Sequence, residues 1–213
     1  MSRFFFMQRV LSMLSSGLVF RRVYAGILRA VAILVGVGGA ALWVGRWSEV
    51  AELRRLGYYY SISGSATLAG VVVQILLIVL LYCWIHTIWL RARTVEELTD
   101  TGYVIAPIFS VTLKLVGELM ACASVFSGLA GGLSIWIAGR NILHLLGLGS
   151  LQLGGLSPAS AGFLGGLVAI LSGFLLGFVA LVVFYYSAEL VVVLVDIAGN
   201  TRELVRKRDS NGE

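Results

Sequence analysis

Charge is what this sequence has least of. Only 13% of its 213 residues are Asp, Glu, Lys or Arg, about half the roughly 25% of an ordinary soluble domain. With 59% hydrophobic residues and a mean hydropathy of +0.94, a water-soluble fold is excluded. Histidine, cysteine and proline are scarce too, at two of each. Cys83 and His86 stand three apart on one helical face, a metal-holding spacing. His144 is expected on the other side of the membrane, so no haem or four-ligand site closes, and neither a metal nor a cofactor is expected. Cys83 and Cys122 are expected at different depths on antiparallel helices, which argues against a disulfide.

Catalytic sets are missing as well. No Ser/His/Asp, Cys/His or paired-carboxylate arrangement stands where a substrate would have to be, and Gly147-Leu148-Gly149 lacks the Lys-Ser/Thr and flanking pattern of a phosphate loop. The chain therefore reads as non-enzymatic. Its formal charge of +5 does not point to nucleic acid, because the basic residues sit at the ends of apolar runs, where membrane insertion places them.

Those runs are what the sequence does hold. It reads as one all-α integral membrane domain with four transmembrane helices, at about residues 23–44, 66–90, 117–138 and 161–184. Ahead of them, Phe4, Met7, Leu11, Leu14 and Leu18 share a helical face with Arg9 and several serines largely opposite, the pattern of an amphipathic interfacial helix over residues 1–22. Gln8 and Arg9 interrupt any signal-peptide core, so this segment is expected to be retained. Arg29 is near enough to the end of the first span to snorkel. Trp43, Trp47, Tyr58 to Tyr60, Trp84, Trp89, Trp136, Tyr185 and Tyr186 read as interface markers.

Four spans return the chain to the side it started from. Arg3, Arg9, Arg21, Arg22, Arg29, Arg91, Arg93 and the tail's Arg202, Arg206, Lys207 and Arg208 make eleven basic residues on one side. Arg46, Arg54, Arg55 and Arg140 make four on the other, and Lys114 lies between. The positive-inside bias then places both termini in the cytoplasm, and the expected location is a prokaryotic inner membrane, crossed several times.

Length separates the last two helices from the others. Tyr103 to Ala138 would extend about 54 Å and Pro158 to Ala198 about 60 Å, against a hydrocarbon core about 30 Å thick. Pro107 offers a kink in the third, and Ser157 with Pro158 reads as an N-cap and first helical position for the fourth. The excess, Tyr103 to Leu113 and Leu190 to Ile197, should lie beyond the inner boundary and bury against each other, the N-terminal helix or another subunit. Residues 185–213 then form a cytoplasmic extension and basic tail. The Leu/Gly-rich loop 140–160, almost uncharged, is expected on or in the outer leaflet.

Small residues suggest where helices touch. Ala161, Gly165, Ala169, Gly173 and Gly177 recur every four residues, Ser124, Gly128 and Gly132 do so in the third helix, and Ala32, Gly36 and Ala40 in the first. Residues 71–90 hold no glycine. In lipid, close backbone approach drives association. Helices one, three and four are therefore expected to form the core, with helix two peripheral.

Charges inside spans need a reason. Lys114 and Glu118 are four apart, and a hairpin of helices three and four centred near residue 150 sets Lys114 opposite about residue 186, within a turn of Glu189. Glu189, Asp196 and Glu203 step by seven. A structural ion-pair cluster of Lys114 with Glu118 or Glu189 is expected at the inner interface. The function expected is a non-catalytic subunit or scaffold of an inner-membrane assembly, held in the lipid bilayer as a homo-oligomer or with other membrane subunits. The alternative is an ion or proton channel or transporter-like pore using Lys114, Glu118, Glu189 and Asp196. A lipid-modifying enzyme would need a nucleophile or metal site that is not there to be read.

Overall fold

The computed structural model describes residues 18–60, 64–98, 103, 105–144, 146, 148 and 162–211. It is all-helical, with 92% helix and no strand among the described residues. The helices are α1 (Leu18–Tyr60), α2 (Gly64–Glu96), α3 (Ile105–Ala138) and α4 (Phe163–Asn211). Each is long and apolar enough to cross a membrane, the pattern of a multi-pass membrane protein. α1 runs without a break through residues 22 and 23, where the interfacial helix was expected to give way to the first span. The rest of that expected segment, residues 1–17, lies outside the described residues, as do Ser157 and Pro158.

Local chemistry explains the ends that are visible. Pro107 stands in the first turn of α3, where its missing N–H has no intrahelical acceptor to lose, so it opens the helix instead of kinking it. Gly139, with φ +73°, closes α3 in the left-handed conformation, and its N–H donates to Ile135 O at 2.9 Å. Gly162, φ +112°, precedes α4.

Packing follows chain order: α1 against α2, α2 against α3, and α3 against α4. One buried cluster joins Ala25, Leu28 and Ala32 of α1, Ile88, Ala92 and Val95 of α2, and Ile108, Val111 and Leu115 of α3. A second joins α2 (Ala69, Val73, Leu77, Leu80), α3 (Phe126, Ala130) and the connection after α3 (Ile142, Leu143, Leu146, Leu148). Helix α2 is thus flanked on two sides and is not peripheral. The small residues of α1 receive its large side chains: Leu81 sits over Gly39, and Ile85 Cδ1 lies 3.4 Å from where a Cβ at Gly36 would be. A helix without glycine can be central when its neighbour supplies the hollows. Ala40, expected in that stripe, is exposed, and Gly39 takes its place.

α4 contributes to neither buried cluster. It meets α3 through small residues. A Cβ on Gly128 would fall 2.8 Å from both Gly173 Cα and Ala169 O, one on Gly132 2.6 Å from Gly166 O, and one on Gly177 3.1 Å from Ala121 O. Gly165 and Ala169 are buried on the same helix. No side chain fits between the backbones there, so van der Waals contact runs from main chain to main chain.

Three tryptophans tie consecutive helices. Trp43 Nε1 donates to Gln74 O (3.2 Å), Trp84 Nε1 to Leu119 O (3.1 Å) and Trp136 Nε1 to Phe163 O (2.9 Å). An indole N–H facing apolar surroundings needs an acceptor. A helical carbonyl, with a spare lone pair, supplies one.

Candidate functional site

Polar side chains gather at the end of the molecule where α2 connects to α3. Arg91 leaves the last turns of α2 and forks onto Glu118 of α3, with Nε 2.9 Å from Oε2 and Nη2 bonded to Oε1. Tyr185 of α4 closes the set: its hydroxyl donates to Glu118 Oε1 at 2.6 Å and accepts from Arg91 Nη2 at 3.0 Å. Both charged side chains are about four-fifths buried, at 20% and 19% exposure. A planar guanidinium matches a carboxylate through two parallel hydrogen bonds, a geometry an ammonium lacks. Three helices are thereby joined by one carboxylate.

This arrangement corrects the expected pairing of Lys114. Glu118 is taken by Arg91, and Lys114 has no ion pair among the described residues. Its Nζ stands 5.5 Å from the centroid of the Tyr185 ring, a cation–π contact. The antiparallel register that brings Gly128 to Gly173 brings Lys114 to Tyr185, one turn short of Glu189. Glu189 is exposed on α4. Asp196 lines a cleft between α3 and α4 that Lys114 also lines, and Glu203 pairs with Lys207 on the surface at 2.9 Å. The expected acidic stripe is therefore divided among three surroundings.

Around the triad the same end carries further ties. Arg29 pairs with Glu96 (2.6 Å) and lies 5.8 Å over Trp89, on a partly exposed part of the surface. Arg21 donates to Leu98 O. Thr112 Oγ1 donates to Ile108 O at 2.8 Å, leaving its oxygen to accept from the Tyr24 hydroxyl at 2.6 Å. Ser110 Oγ donates to Ala188 O at 3.2 Å. The apolar extension of α3 is buried here through Ile108 and Val111. That of α4 is not, with Leu190, Val193, Leu194 and Ile197 exposed.

The cleft beside Lys114 has a volume of about 600 Å³, with Thr94, Ser110, Asp196 and Asn200 among its polar lining and Pro107, Val192 and Val195 among its apolar lining. A smaller cavity of about 270 Å³ lies between α2 and α3 and is lined by both Cys83 and Cys122. The two thiols are free but share one depth, contrary to expectation, because the register set by Trp84 on Leu119 places them across from each other. His86 stacks on Tyr82 at 5.7 Å. No group of three potential metal ligands occurs among the described residues. Gln74, 1% exposed, leaves both side-chain amide atoms without a hydrogen bond.

Comparisons with protein-family models, with curated proteins and with solved structures find no match.

Arg91 and Tyr185 were missed by sequence reasoning, having been assigned to a span end and an interface. The signal that could have found them was reciprocal need: a carboxylate within α3 and an arginine at the end of α2 each require a partner, and the short connection makes the two helices antiparallel neighbours. Gln74 was not singled out either, although it is a polar residue in an apolar run.

Proposed function

We propose that the chain is a non-catalytic subunit or scaffold of a prokaryotic inner-membrane assembly, with both termini cytoplasmic, and that α4 is the surface docking a second copy or another membrane subunit. The supporting observation is how little of α4 the chain itself covers. At 49 residues it extends about 74 Å, more than twice the roughly 30 Å of hydrocarbon. It adds nothing to the buried clusters, and past Tyr185 it presents Leu190, Val193, Leu194 and Ile197 at 43 to 64% exposure. Lipid covers apolar residues within a span. An extension beyond it needs protein. The Arg91–Glu118–Tyr185 triad suits a fixed platform, since it locks α2, α3 and α4 together at the base of that extension.

The test is a single cysteine at Leu194 in a chain carrying Cys83→Ala and Cys122→Ala, crosslinked in native membranes and followed by mass measurement of the intact complex. A crosslinked assembly containing the chain is the expected result. A chain that stays monomeric in mild detergent and in nanodiscs, with no crosslink, overturns the reading. The Tyr185–Glu118 hydrogen bond beside an open cleft favours a second reading, an ion or proton path. An acid-dependent current from the purified native chain in a planar bilayer would replace the scaffold with it.

A further inference from the structure

From Val179 to Leu204 the two sides of α4 differ. The side turned to α3 holds Ala188, which is buried, Val191, Val195 and Gly199, which are half-buried, and Arg202, whose guanidinium lies 5.7 Å over the Tyr103 ring. The opposite side carries Val183, Leu190, Ile197 and Leu204 in steps of seven, at 43 to 68% exposure. Val179, Tyr186 and Val193 stand between them in a second series of seven and are exposed too. The combined steps alternate between four and three, which is the spacing of the a and d positions of a coiled coil. Asn200 is the next d residue; it is polar and lines the α3–α4 cleft, so the apolar series has one gap.

We propose, resting on the reading that α4 docks another protein, that this seam is covered by α4 of a second copy of the chain, as a parallel two-stranded coiled coil about a twofold axis normal to the membrane. Three observations choose a second copy. Two copies inserted the same way round carry α4 parallel and at the same depth, so each seam residue meets itself or its neighbour in the series, and an apolar seam is complementary to itself. The flanking charges fit as well. Glu189, Asp196 and Glu203 each precede an a residue by one, at g, and Arg208 follows Leu204 by four, at e. In a parallel pair g faces e of the other copy, so Glu203 meets Arg208 of the second copy, whereas an antiparallel pair would set the acidic g rows against each other. The packing order leaves room for the second helix: α4 lies at the end of the row, packed on α3, and its far side is the exposed one. A heptad repeat on a straight helix drifts by about 20° per heptad, which a shallow left-handed winding of the two helices takes up.

The experiment uses the full chain carrying Cys83→Ala and Cys122→Ala in native membranes, with one cysteine introduced at a time: Leu190→Cys, Val193→Cys, Ile197→Cys or Leu204→Cys on the seam, and Val192→Cys or Ala198→Cys as controls, both exposed on α4 but off the seam. Mild oxidation to disulfides is expected to give a species of twice the chain's mass, with at least tenfold more from the seam positions than from the controls. Ile197→Ser, at a position the single chain leaves exposed, should weaken association of the fluorescently tagged chain about a hundredfold, as read by energy transfer on dilution in liposomes; that factor corresponds to two isoleucine side chains at about 1.5 kcal/mol each. Equal yields from seam and control positions, or association unmoved by Ile197→Ser, overturns the coiled coil. An intact-complex mass showing one copy of the chain with a different protein overturns the second copy and leaves the docking reading standing. A chain that is monomeric throughout overturns both.

Discussion

Arg91 and Glu118 meet side-on, two nitrogens to two oxygens, and the Tyr185 hydroxyl bridges the same carboxylate. Each charge is mostly buried and each is satisfied by the other. Removing one partner is therefore costly while removing both is not.

Arg91→Met should destabilise the protein by about 3 kcal/mol, because it strands Glu118 in a low-dielectric setting. Adding Glu118→Gln should restore part of that loss. Lys114→Met should cost less than Arg91→Met, since only a cation–π contact of about 1 kcal/mol is lost. Thermal unfolding in nanodiscs measures all three; a Lys114→Met loss as large as that of Arg91→Met would mean that Lys114 is Glu118's partner.

At Gly173 the backbones of α3 and α4 leave no room for a side chain. Gly173→Leu should separate the helices and cost at least the roughly 1 to 3 kcal/mol of overpacking, whereas Leu171→Ile, on the exposed face, should be nearly neutral. Equal tolerance in a detergent-stability assay would show that this face of α4 does not touch α3.

Gln74 is buried with an unsatisfied amide, and its backbone carbonyl already serves Trp43. Gln74→Leu keeps that carbonyl and removes a group whose desolvation costs about 1 to 3 kcal/mol. The melting temperature should rise or hold. A clear fall would mean that the amide has a partner in the membrane-embedded protein.

The described apolar residues that follow α3 are held inside the protein. Ile142, Leu143, Leu146 and Leu148 are buried against α2 and α3, and Leu146 N–H donates to Ile142 O at 3.1 Å. Hydrogen exchange in nanodiscs should find Leu146 and Leu148 protected well beyond an exposed turn; exchange at the rate of a free peptide would show that the segment leaves the core.

Much of the architecture could be read along the chain. Hydrophobic length marks α1 to α4, and the hairpin arithmetic that set Lys114 opposite about residue 186 lands beside Tyr185. Glycine spacing likewise finds Gly128, Gly132 and Gly173 at a helix contact. These features are local, or depend on one short connection. The charged site was harder: Glu118 was recognised as needing a partner, but the choice among Lys114, Arg91 and others turns on side-chain reach and helix rotation.

What sequence alone determined is the class: a chain this poor in charge, with four apolar runs of about 20 residues or more, forms helices long and apolar enough to cross a bilayer. What tertiary structure decided is rotation and neighbourhood. It set α2 between α1 and α3, gave the indoles of Trp43, Trp84 and Trp136 acceptors on the next helix, brought Cys83 level with Cys122, and gave Glu118 to Arg91. In a soluble helix an apolar stripe reports which face is buried. In lipid the outward face is as apolar as the inward one, so hydrophobic pattern carries no sign of rotation, and the partners of Glu118 emerge only when the helices are packed.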